Sequence, residues 1–140
     1  YAKLFNLSLN ANYNLLEHLH WKGTLTYAKS LDNKGGNLPF IRPLSYLSSL
    51  HFLIENFAIQ TSVTGDFEHR NFSPEYGEDR TSGFTIVNAS ADYTVVFNQY
   101  KATFQLGAEN LLNNYYSTYA DWGNIPRMGR NMFAALKVSF

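Results

Sequence analysis

The chain of 140 residues contains no cysteine, which excludes a disulfide framework and thiolate chemistry. It has no excess of charge, with 11 Lys and Arg against 11 Asp and Glu. That balance gives no electrostatic footprint for a nucleic-acid partner. No run of about 18 apolar residues occurs, so no helix is expected to cross a membrane. No basic-then-apolar leader opens the sequence, so any signal peptide is expected to lie outside it. Serine and histidine are present, but none stands in a tight-turn nucleophile motif such as G-x-S-x-G. Neither an enzyme nor a cofactor is expected. Mean hydropathy is −0.27. A membrane protein of such composition has to be a β-barrel with a polar lumen.

What the chain does have is aromatic residues, 16% of the total, with ten Tyr and eleven Phe, which favour strands. It also has alternation. In residues 131–140, Met132, Ala134, Leu136, Val138 and Phe140 share one face of an extended chain, and Phe133, Ala135, Lys137 and Ser139 share the other. The same pattern recurs in residues 3–13, 18–29, 44–54, 57–68, 84–97 and 100–109. It is weakest in 44–54, where both faces carry leucine. The apolar faces read as free of charge, while Lys22, Asp66, Glu68, Asp92, Lys101, Glu109 and Lys137 fall on the opposite faces. A membrane barrel needs that segregation, because a charge at mid-bilayer costs about 2–4 kcal/mol.

The connections alternate short and long. A short link is expected around residues 14–17, and two-residue turns at Glu55-Asn56 and Asn98-Gln99. Polar loops are expected at 30–43, 69–82 and 110–130. Ile54 and Phe57 flank one tight turn and Phe97 and Tyr100 the other, all on the apolar face, as cross-strand partners must be. Outer-membrane barrels pair short periplasmic turns with long outer loops. Tyr13, Phe57, Phe97 and Tyr100 would then form an aromatic girdle. The expected fold is all-β, an antiparallel meander of about seven transmembrane strands. A closed bacterial barrel has an even strand count, so the chain reads as part of a larger one.

Two stretches carry a family resemblance. Glu109-Asn110-Leu111-Leu112 through Tyr116, and Ile125-Pro126-Arg127-Met128-Gly129-Arg130, resemble the C-terminal signature of TonB-dependent outer-membrane receptors: an E-N-L-F-x-x-x-Y run followed by P-x-P-G-R. Leucine replaces the phenylalanine and Met128 the second proline. Leu38-Pro39-Phe40-Ile41-Arg42-Pro43 resembles the family's L-P-x-I-P-P approach to a strand, with Arg42 in place of a proline. The resemblance implies a 22-stranded barrel in the bacterial outer membrane, of which residues 1–140 supply the C-terminal part without the N-terminal plug. It implies lipid, plug, the TonB energy-coupling protein and the barrel assembly machinery as partners. It also implies uptake of a scarce nutrient, with a ferric siderophore or other iron complex the commonest cargo. Phe140, with Val138 and Leu136, matches the terminal signal that the assembly machinery reads.

Three clusters invite sharper readings. Tyr115, Tyr116, Tyr119 and Trp122 crowd the last loop, where aromatic side chains can cover a ligand. His18, His20 and His51 fall on the polar face, and a hairpin centred on Gly35-Gly36 would set His20 opposite His51. No orienting partner for these imidazoles is visible in sequence, so they read as polar wall facing the plug, and no metal site is assigned. Glu75, Glu78 and Asp79 lack the oxygen spacing of a calcium loop and read as solvated. Two alternatives share the alternation: a soluble eight-stranded calyx, which would turn its apolar wall inward, and a small complete outer-membrane barrel.

Overall fold

A computed structural model describes all 140 residues. Seven strands form one antiparallel sheet in sequence order: β1 (Lys3–Leu16), β2 (Leu19–Leu31), β3 (Ser45–Ile54), β4 (Phe57–Asp66), β5 (Phe84–Phe97), β6 (Tyr100–Glu109) and β7 (Asn131–Ser139). β1 pairs only with β2 and β7 only with β6, so the sheet is open rather than closed as a calyx would be.

The expected registers hold. Ile54 pairs with Phe57, Phe97 with Tyr100, and His20 with His51. Glu55 (φ 46°) and Asn98 (φ 54°) take the positive φ that primed hairpin turns require at their first position. The first connection is tighter than the sequence suggested. β1 runs on to Leu16, and only Glu17 and His18 turn. The alternation falters at Leu15-Leu16 because a bulge lies between Asn14 and Leu16. It returns Leu16 to the face of its partner Leu19.

Burial is inverted relative to a water-soluble domain. Ile86 is the one buried hydrophobic residue, against nine buried polar ones. The apolar wall is bare: Leu106 is 65% exposed and Met132 72%. Two pairs of its polar side chains bond to each other. The Trp21 indole donates to Ser48 Oγ at 2.9 Å while its ring lies across Gly23, where a Cβ would stand 2.6 Å from the ring. The Tyr46 hydroxyl meets Thr85 Oγ1 at 2.5 Å.

One expectation needs correction. The pairs Lys3↔Leu31 and Phe5↔Lys29 put Lys3 and Lys29 on the apolar row, so that row is not free of charge. Lys3 and Lys29 are the end residues of the alternating stretches 3–13 and 18–29, two positions beyond Phe5 and Tyr27 on the same row, and β2 continues past Lys29 to Leu31. Both lysines stand at the loop end, beyond the Phe5–Tyr27 aromatic contact (6.3 Å between centroids), and neither joins an ion pair.

Candidate functional site

All three long loops leave the same end of the sheet and interlock there. The Glu78 carboxylate accepts from Phe40 N (2.5 Å) and Ser73 N (2.8 Å), joining the first loop to the second, and Ser73 Oγ donates to Asn37 O. Thr81 Oγ1 donates to Asn124 Oδ1 at 2.7 Å, and Asn124 Nδ2 donates back to Arg80 O at 3.1 Å, joining the second to the third. Glu78 is therefore buried and satisfied, not solvated as expected, while Glu75 and Asp79 stay exposed and do not converge with it. Burial pushes the His69 imidazole below its ordinary pKa, against the opposing pull of Glu78 and Asp66.

The last loop folds back over the polar wall and is held by its own sequence motif. Asn110, 2% exposed at φ 48°, accepts from Asn114 N (2.9 Å) and donates to the carbonyls of Asn114 (2.9 Å) and Met128 (3.4 Å). Asparagine is among the few side chains that tolerate such a φ. Asn113 Oδ1 accepts from Arg130 N at 2.9 Å. A Cβ on Gly129 would stand 2.5 Å from that same oxygen, so a larger residue there would push the Asn113 amide off Arg130. Further out, Arg127 N donates to Tyr116 O (2.8 Å), and the Arg127 guanidinium grips Asp121 at 2.8 and 2.9 Å. This guanidinium, with help from the Thr118 N–H and hydroxyl, draws the Asp121 carboxyl down to about 2.

Between this loop and the loop end of the polar wall lies a cavity of about 570 Å³, lined among others by Thr64, Ile86, Asn88, Glu109, Tyr116, Arg127 and Met128. Glu109 is its carboxylate, bonded only at 3.4 Å by Asn131. Tyr116 packs on Phe84 at 4.7 Å and, with Ile86, forms the apolar floor. The four aromatic residues singled out in sequence do not form one cluster: only Tyr119 and Trp122 share a small cavity, against the second loop. Tyr115, 84% exposed, borders a separate open groove with Tyr46 and Phe67. Tyr119 packs on His69 at 6.1 Å, and the Trp122 ring covers Gly77. Nothing in the sequence alone marks Asn88, Glu109 and Arg127 as lining residues. Each looked like ordinary polar wall or motif until the loop was placed over them.

No protein-family model matches the chain, and no curated protein sequence does either. Among solved structures, the chain superposes on the copper transporter OprC with a TM-score of 0.84 at 20% identity, over 98% of this chain and 24% of that one. The chain spans about a quarter of the length of that protein. At that identity the likeness is one of fold. The neighbour is named for transport rather than catalysis.

Proposed function

We propose that the chain is the C-terminal part of the barrel wall, and part of the outer mouth, of an active-transport receptor of the TonB-dependent type in a bacterial outer membrane. The observation that carries this reading is the inverted burial: a bare apolar wall opposite a polar wall, with every long loop locked at one end. In a bilayer the apolar wall meets lipid, and the polar wall meets the plug that the rest of the receptor supplies, through which TonB would act. The lysines on the apolar row fit this placement. From Tyr13 at the turn end to Lys3 is ten residues, and a strand rising about 3.3 Å per residue at a tilt of about 45° climbs roughly 23 Å. That brings Lys3 and Lys29 to the upper edge of an apolar band about 25 Å tall, where ammonium groups reach the headgroups.

For cargo, the family resemblance points to a ferric siderophore or other iron complex, and the structural neighbour is named for copper. Both are scarce transition metals, and that is the class we propose, met first in the cavity lined by Tyr116 and Glu109. Cysteines at Val87, Ala89, Ala91 and Val95 of the whole receptor should resist water-soluble thiol reagents in membranes and react after detergent extraction. Cysteines at Asn88 and Ser90 should react without extraction unless the plug covers them. Equal labelling in membranes on both faces would remove the lipid-facing wall. In the same cells, metal uptake that persists without TonB would make the barrel a passive pore instead.

Phe140 stands one residue beyond the last paired position of β7, 96% exposed, on the row of Leu136 and Val138. We assign this row to recognition by the assembly machinery. Phe140→Ala should lower the amount of receptor reaching the surface severalfold while each arriving receptor keeps its cargo affinity. Surface amounts equal to wild type would refute the assignment.

A further inference from the structure

The polar wall holds a second constellation, near the short turns and far from the mouth. Asn14, His20, His51 and Gln60 occupy one row across β1 to β4, each directly opposite the next. Directly opposed residues point to the same face with Cβ atoms about 4.5–5.5 Å apart. Two imidazoles so placed can bring a nitrogen each to one ion at about 2.0–2.1 Å. His20 Nδ1 lies 2.7 Å from Asn14 Oδ1. That oxygen only accepts, so Nδ1 carries the hydrogen and Nε2 is left with a free lone pair. A hydrogen bond from the non-ligating ring nitrogen to an oxygen is the arrangement that orients metal-binding histidines and raises their basicity. It is the orienting partner that the sequence alone did not reveal.

We propose that His20 and His51 form a two-imidazole site for a divalent transition-metal ion of the later first row, with Asn14 as the residue that positions His20. Imidazole suits copper(II), nickel(II) and zinc(II), and copper(II) binds most tightly in a given nitrogen set. Both histidines are half-buried, so water completes the coordination and the ion stays exchangeable. Gln60, on the other side of His51, offers an amide oxygen to the second imidazole or to the ion. Lys22, two residues along β2, is exposed and free to swing away. His18 is no member: it sits in the turn, where its carbonyl accepts from Leu53 N at 2.8 Å. The site rests on the sheet register and on the Asn14–His20 hydrogen bond, and does not depend on the transport reading.

The test uses the whole receptor, solubilised in detergent and free of any histidine tag, titrated with copper(II) and followed by electron paramagnetic resonance. A signal from two coordinated nitrogens is expected, lost in His20→Gln and in His51→Gln with at least a tenfold fall in affinity. Asn14→Ala should keep the two-nitrogen signal but bind about tenfold more weakly. His18→Gln should bind as the unmodified protein does. A measurement without substitution complements these: zinc(II) should protect His20 and His51, but not His18, from carbethoxylation. Unchanged affinity in the His20 and His51 variants, or equal protection of all three histidines, would overturn the site. Neither result would bear on whether the receptor transports.

Discussion

Leu106→Arg is expected to remove most of the receptor from the outer membrane, whereas Gln105→Arg, one residue away, leaves it nearly intact. Leu106 lies in mid-strand on the apolar wall, flanked by Ala91 and Ala134, and is 65% exposed. An arginine at the bilayer midplane of a barrel costs about 2–4 kcal/mol. Withdrawing a leucine from an apolar surrounding costs roughly 1.5–3 kcal/mol more. Gln105 points to the other wall, opposite Asp92, whose Oδ1 is buried without a hydrogen-bond partner. An arginine there gains a carboxylate rather than losing its solvation. The measurement is folded receptor per cell together with the urea midpoint in lipid vesicles. If both arginines were tolerated alike, the apolar wall would not be facing hydrocarbon.

That contrast between neighbours was legible in the sequence, because period-two alternation is a local signal that needs no knowledge of the fold. The tight turns were legible for the same reason: Ile54 and Phe57 announce their pairing within four residues. Even the opposition of His20 and His51 followed from centring one hairpin on Gly35-Gly36. What escaped was whatever depends on an extra residue or on a distant segment. The bulge at Leu15 broke the alternation, so β1 seemed to stop early. Lys3 and Lys29 are the end residues of their alternating stretches, in phase with Phe5 and Tyr27, and only the pairing of β1 with β2 makes plain that they stand on the apolar row. Glu78 looked solvated because its partners, Phe40 and Ser73, are unremarkable backbone N–H groups, one of them 38 residues away. The aromatic residues of the last loop looked like one cluster because they are close in sequence. A loop that turns at Thr118 and Asp121 and folds back on itself sends neighbours in different directions.

The loop's closure makes Asn110 the residue whose loss should be felt most at the mouth. Its side chain, buried, ties the start of the loop to Asn114 and to Met128 on the returning arm with three hydrogen bonds. Asn110→Ala orphans these backbone groups, at about 1–3 kcal/mol for each that stays buried. It also forces alanine into a left-handed conformation at roughly 1–2 kcal/mol. Local opening of the loop should become at least a hundredfold easier, since each 1.4 kcal/mol is about a factor of ten. Asn110→Gly loses the same hydrogen bonds without the conformational penalty and should open the loop about tenfold less. Amide hydrogen exchange in the whole receptor reads this directly. Exchange over residues 114–130 should accelerate in the order Ala, then Gly, then wild type, while β6 and β7 amides keep their protection, because their ladder is independent of the loop. Cargo affinity should fall with the loop, and the amount of receptor at the surface should not. Unaltered exchange in Asn110→Ala would mean that the Asp121–Arg127 pair and the contacts to the second loop hold the mouth closed without it.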